Sequence, residues 1–240
     1  MPDSSGAAGH LTTVTLCGYP PSSRLWAFNQ MGSSRRLLPR VDGLRFWKLL
    51  GTGHGRGFSL RPDFSRYGLL AVWDSDGAAD AFFARSALMA AYRRHAREVW
   101  TVRLRTTRAY GAWSGSNPFL PEMAEPDSGP VAVITRAAIH LRKLRAFWAA
   151  VPATTAALDC APGLLASIGT GEAPFARPAT FSIWRSTAEL EAFAYGTADH
   201  REVIRRRHDE GWYSEELFAR FRPVAAEGTW NGHDPLAGLL

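Results

Sequence analysis

An α+β fold written twice along one chain is what this sequence predicts, and three ordered observations predict it. The segment Gly43-Leu44 to Gly51-Thr52-Gly53 is matched by Gly163-Leu164 to Gly169-Thr170-Gly171. Each then passes through a Pro-containing loop into an apolar run closed by tryptophan, Gly68–Trp73 or Thr180–Trp184, followed by Ser75 or Ser186 and a helical stretch with Ala81-Phe82 or Ala192-Phe193. Each half ends on a Trp-x-Gly-x-(Asn/Asp)-Pro segment, Trp113–Pro118 and Trp230–Pro235. Ordered self-similarity of this kind marks a repeated structural unit.

Taken in order, the second copy reads as a strand near Val131–Ile134, a helix near Leu141–Ala150, strands near Leu164–Gly169 and Thr180–Ile183, a helix from about Ala188, and a last strand around Leu217–Pro223. The first helices open on Leu25-Trp26-Ala27-Phe28 and Leu144-Arg145-Ala146-Phe147, and Trp100 is matched with Trp212, so three repeat pairs take in six of the nine tryptophans. The β-α-β-β-α-β order is the ferredoxin-like unit. Helices cover one face of such a sheet, and in a tandem protein the second copy is the natural cover for the other. The expectation is a dimeric-α+β-barrel-like pseudo-dimer, two sheets around an internal cavity. Its units are residues 11–120 and 129–240, with a linker at Pro118–Pro130 that holds four prolines.

With 240 residues, 46% of them hydrophobic, the chain can bury a large core. Cys17 and Cys160 lack the number and spacing of a disulfide scaffold or zinc ribbon and read as small buried hydrophobes. Residues 1–10 are not built like a secretory leader, and no apolar run approaches the roughly 20 residues of a spanning helix. The expected location is cytoplasmic, with any contact to the inner membrane peripheral. The net charge of +6 comes from scattered arginines with no nucleic-acid-binding motif beside them, so the expectation is no nucleic-acid partner. There is no Gly-x-Ser-x-Gly elbow, zinc helix or Walker segment. Hydrolase and phosphotransferase readings therefore lack support, and the residues single out no catalytic group.

A duplicated unit keeps what its fold requires, so a polar residue on a core-facing position in one copy only is a functional lead. His200 is such a residue: it shares a helical face with Leu190, Phe193, Thr197 and Ile204, and its first-half counterpart is Met89 or Leu88. An inward neutral imidazole is either an axial ligand for haem iron or a hydrogen-bonded core histidine, and the residues alone leave both open. His10, His95, His208 and His233 read as surface residues. The Gly51–Phe58 loop, with four glycines in seven residues, reads as a hairpin connection or the rim of a cavity.

The segments Asn29-Gln30-Met31-Gly32, Gly43-Leu44-Arg45-Phe46-Trp47-Lys48, Gly51–Phe58 and Gly211-Trp212-Tyr213-Ser214-Glu215-Glu216-Leu217-Phe218-Ala219-Arg220-Phe221 resemble the spheroidene monooxygenase family. The likeness runs from about Val14 to Leu236. It implies an enzyme with haem b that uses O₂ and an external electron donor, such as a partner protein, to introduce a keto group into an acyclic carotenoid or similar apolar substrate. Two hydroxylations of one carbon followed by loss of water would give the ketone. The helix Ala192-Phe193-Ala194-Tyr195 followed by His200 is similar to the aromatic-then-histidine helix of related haem-binding α+β-barrel proteins, which implies His200 as the iron ligand. The same resemblance implies that Phe58, Trp184, Phe193 and Trp212 pack either on porphyrin or substrate or as plain core, and that an arginine near the ligand helix, Arg201 or Arg205, faces a haem propionate. Fold does not fix substrate, so two other readings remain. One is a haem enzyme of the same architecture acting on a small soluble metabolite, by aldoxime dehydration or other N–O chemistry. The other is a non-catalytic module that binds haem or an apolar ligand.

Overall fold

The structure, a computed structural model, describes residues 10–125, 128–172, 175–196 and 211–240. The first half runs β1 (Leu11–Gly18), α1 (Arg24–Ser33), β2 (Leu44–Gly53), β3 (Pro62–Trp73), α2 (Asp76–Arg85), α3 (Ala87–His95) and β4 (Glu98–Gly111). The second repeats the order with β5 (Val131–Ile139), α4 (Leu144–Asp159), β6 (Leu164–Gly171), β7 (Pro178–Trp184), α5 (Thr187–Gly196) and β8 (Tyr213–Gly228). Every expected element of the second copy is present. Several are longer than their periodicity marks, α4 continuing through Pro152 to Asp159 and β8 starting at Tyr213. The serine after each tryptophan is a helix cap: Ser75 accepts from the Ala78 N–H at 3.2 Å and Ser186 from the Glu189 N–H at 3.3 Å.

The eight strands close into one antiparallel barrel in the order β1-β3-β2-β6-β7-β5-β8-β4. Eleven residue pairs join β4 to β8, whereas only Gly51↔Gly171 and Thr52↔Thr170 join β2 to β6. Side chains alternate along a strand, so one face of each sheet points into the barrel. Val14, Leu16, Leu70, Val72, Trp100, Phe181, Ile183 and Phe221 meet there. Two further tryptophans plug the barrel from opposite ends, because Trp113 and Trp230 follow antiparallel strands. Trp230 lies 5.4 Å from Trp100 and stacks on Phe181, while the Trp100 indole N–H donates to Asp234 at 2.9 Å. The expected internal cavity is therefore not formed. Large inward side chains and the two plugs fill that space, and a void between Val14, Trp113 and Phe181 measures about 10 Å³, room for one water at most.

Strand register corrects the repeat in detail. Leu11 faces Trp73 as Val131 faces Trp184, so the halves superpose there as expected. Leu16, however, faces Trp100, while its counterpart Arg136 faces Leu217. The equivalent of Trp100 is thus Leu217 rather than Trp212, and the second half carries a longer segment between β7 and β8. On the first helices the buried counterparts are Ala27 and Phe147, one residue out of step with the expected match. Cys17 is buried, but Cys160 sits at the exposed end of α4. His95, expected at the surface, is half-buried and stacks on Trp26 at 3.9 Å.

Charged side chains also point inward, Lys48 from β2 and Arg136 from β5. Arg136, 2% exposed, pairs with Glu172 and Glu215, and Glu172 also receives Lys48 at 2.7 Å and the Trp113 N–H at 2.8 Å. Burial pushes the Glu172 carboxyl up, but the hydrogen bonds from Lys48 and Trp113 and the charges of Lys48 and Arg136 outweigh it and hold the group below the ordinary carboxylate range. A depressed folded-state value gives stability that is present above the unfolded value of 4.5 and lost as pH falls through the folded one. Glu172→Gln is expected to lower Tm near neutral pH and to flatten the loss of Tm on acidification, measured by circular dichroism from about pH 7 to about pH 3. Phe181→Ala, which empties the middle of the barrel, is expected to cost about 3–5 kcal/mol in denaturant unfolding.

Candidate active site

The outer face of each sheet is covered by the helices of its own half, and the halves fill that layer differently. In the first, Leu49, Leu69, Ala71 and the partly buried Trp47 pack beneath the helices with Phe82 and Met89. About 10 Å³ is left near Cys17, Ala27 and Leu49. Register places Ser167, Gly169, Thr180 and Ser182 at the equivalent positions of the second half. Replacing large apolar side chains by small ones opens a cavity of about 260 Å³ between the sheet and helices α4 and α5.

Its floor carries the hydroxyls of Ser167, Thr180 and Ser182, and the Trp184 N–H donates to Ser182 at 3.0 Å. Its walls are aromatic: Trp184 lies 5.0 Å from Phe193, and Phe147 meets Phe58 at 5.5 Å and Trp212 at 6.4 Å. Phe58 comes from the first half, because the Gly51–Phe58 loop crosses onto β6. Ser167 donates to the Arg56 carbonyl at 2.7 Å, and a Cβ at Gly169 would stand 2.0 Å from the Gly57 carbonyl oxygen. Glycine at 169 is therefore required by the close approach of the loop. Along β4 and β8 the lining turns cationic. Arg220 pairs with Glu125 and Glu191 at 3.1 Å, and Tyr110 stacks on Phe218 at 5.1 Å. Arg108, exposed at the cavity, forms no ion pair among the described residues. The arrangement suits a flat apolar group lying over a small polar floor with an anionic edge toward Arg108.

Of the residues singled out from the sequence, Phe58, Trp184, Phe193 and Trp212 line this one cavity, while His200 and Arg205 lie outside the described residues. Phe147, Arg108 and the whole floor were not anticipated. The signal for the floor was partly in the sequence. Counting from Trp73 and Trp184 sets Thr180 against Leu69, and the Gly43-Leu44 match sets Ser167 against Trp47, whereas the Gly-Thr-Gly match set Gly169 against Gly51 and strand register moves it to Leu49.

Known proteins match both the chain and its architecture. It is 41% identical over 221 residues to the spheroidene monooxygenase of Rhodobacter capsulatus, covering 91% of this chain and 92% of that one. The chain belongs to the spheroidene monooxygenase family. The family is one of monooxygenases, which makes oxidoreductase the class of its chemistry. The Rubrivivax gelatinosus member is 38% identical over 231 residues, 96% of this chain and 89% of its own. A family model described as a domain of unknown function, DUF3291, matches residues 131–219, within the half that holds the cavity. Among solved structures, aldoxime dehydratase in complex with butyraldoxime aligns with a TM-score of 0.60 at 11% identity, covering 96% of this chain and 84% of that one. A second aldoxime dehydratase structure gives 0.57 at 10% identity, with 90% and 81% covered. At these identities the likeness is one of fold alone. Among the described residues, no helix is long and apolar enough to cross a membrane.

Thr180→Leu gives the second half the side chain that Leu69 provides in the first. Its expected effect is an unchanged or raised Tm together with at least about tenfold weaker binding of a small apolar fluorescent probe, a difference of about 1.4 kcal/mol, measured by fluorescence titration.

Proposed function

We propose that this member of the spheroidene monooxygenase family is a haem-dependent monooxygenase that introduces a keto group into an acyclic carotenoid or a similar apolar substrate. The observation that carries the reading is the cavity of the second half, where four aromatic residues expected to pack on porphyrin or substrate come together over a floor of small side chains. A tetrapyrrole needs flat apolar walls, a floor without bulky groups and a cation for its propionates, and the lining residues fit each requirement. Trp184, Phe193, Trp212 and Phe58 would hold the ring, and Arg108 joins Arg205 as a candidate for the propionates.

His200 is the proposed protein ligand to iron, as a neutral imidazole, in the longer segment between β7 and β8 that follows α5. Haem b, when bound, supplies the activation of O₂ with electrons from an external donor. The chain's own part is to exclude water with the Phe58–Phe147 wall and to orient polar ends of a ligand through the hydroxyls of Ser167, Thr180 and Ser182. A carotenoid is dissolved in membrane, so the working location is proposed to be cytoplasmic with peripheral contact at the inner membrane. The basic net charge and the exposed Leu25 and Leu141, at 73% and 79%, favour such contact.

The test is the absorption spectrum of protein expressed with haem precursor. Wild type is expected to show a Soret band that is lost or strongly shifted in His200→Ala, and to oxidise spheroidene only when O₂ and a reductant are both present. An unchanged band in the variant would refute His200 as ligand. Haem bound without O₂-dependent turnover would point to transport or sensing instead.

A further inference from the structure

A cavity of about 260 Å³ lies just under the range of about 300–1,000 Å³ that sites for one drug-sized ligand occupy, so it cannot take a flat cofactor and the whole length of a polyene. A second hollow of about 280 Å³ lies over the β2–β6 seam, and Phe58 lines both. Its floor is bare backbone where Gly51 faces Gly171. Its walls are apolar: Phe28 meets Phe64 at 6.2 Å and Trp148 meets Phe175 at 6.3 Å. Phe28, Leu60, Phe64 and Phe175 are each about half exposed, at 47–53%, a concentration of apolar surface around one groove that marks a binding site. The charged groups at its margin already have partners. Glu172 is held by Lys48, Asp63 accepts from Ser65, and the Arg35 guanidinium donates to the Met31 carbonyl. The groove thus offers contact to an uncharged apolar chain and little to a charged one.

Resting on the function proposed above, we infer that the seam groove holds the far arm of an elongated apolar substrate whose reacting end passes Phe58 into the cavity. Phe58 is then a positioning residue: its ring sets how much of the chain lies on either side and hence which carbon reaches the reacting centre. The Phe58 side chain that the two hollows share, their individual sizes and a largely apolar lining whose charged groups already have partners together favour a polyene over a second copy of this chain or an amphipathic partner helix.

The experiment compares wild-type holoenzyme with the double variant F28R/F64R, two exposed positions away from the cavity. Kinetics are read with spheroidene in detergent micelles, and the Soret band of each protein shows whether the cavity holds haem alike. The expected result is a KM for spheroidene raised at least about tenfold with kcat little changed and the Soret band unaltered. Should the double variant fold poorly, Leu60→Arg on the exposed loop is expected to act in the same direction. An unchanged KM would overturn the inference while leaving the monooxygenase reading intact, as would a wild-type dimer that the variant dissolves. Wild-type holoenzyme that neither binds nor oxidises spheroidene overturns the functional reading, and the inference with it.

Discussion

Eleven residue pairs along the antiparallel β4–β8 seam lock two four-stranded sheets into one barrel, and the position of any binding site follows from that closure. Closure removes sheet edges and points half of all strand side chains into a shared interior. Trp100, Phe181 and Phe221 from the strands, with Trp113 and Trp230 from the ends, fill that interior. A ligand must therefore lie outside the barrel, in the layer between a sheet and its helices or on the seam where pairing is thin.

The two halves use that outer layer in opposite ways. Burying a large apolar side chain contributes roughly 1.5–3 kcal/mol, and the first half takes that stabilisation with Leu49 and Leu69. The second forgoes it at Gly169 and Thr180 and keeps a void that, left unfilled, costs on the order of several kcal/mol. A site maintained against that cost is explained if a bound group returns the lost contacts. The first half's layer is chemically quiet as well. Burial pushes the Cys17 thiol up to about 12 and raises the Tyr19 phenol further, so neither ionises near neutral pH.

The fold was legible because its landmarks have mechanical causes. Ser75 and Ser186 recur as helix caps, and Trp113 and Trp230 recur because each closes one end of the barrel. The Trp100–Trp212 match failed because residue type is weaker than register: Arg136 faces Leu217, and Trp212 only precedes β8 beside Phe147. Whether the barrel would be hollow was not legible, since strand pattern gives the direction of a side chain and not the volume left between two sheets. The aromatic walls are legible through family resemblance, whereas the floor is made by missing bulk, Gly169 where the first half has Leu49 and Thr180 where it has Leu69, and that equivalence is fixed by strand register. His200 and Arg205 lie outside the described residues.

Duplication also explains why one site needs both halves. The family match at residues 131–219 covers strands β5 to β7, helices α4 and α5 and the start of β8, yet not the loop that delivers Phe58. That loop reaches the second half because β2 and β6 adjoin at the short seam, and it is fixed there by the Ser167 hydrogen bond to Arg56 and the close contact of Gly57 with Gly169. The first half, densely packed on its own helices, is thus a rigid arm that holds one wall of the other half's cavity. Gly57 and Gly169 are the points where that arm touches, and a side chain added at either would part the two halves at the rim of the site.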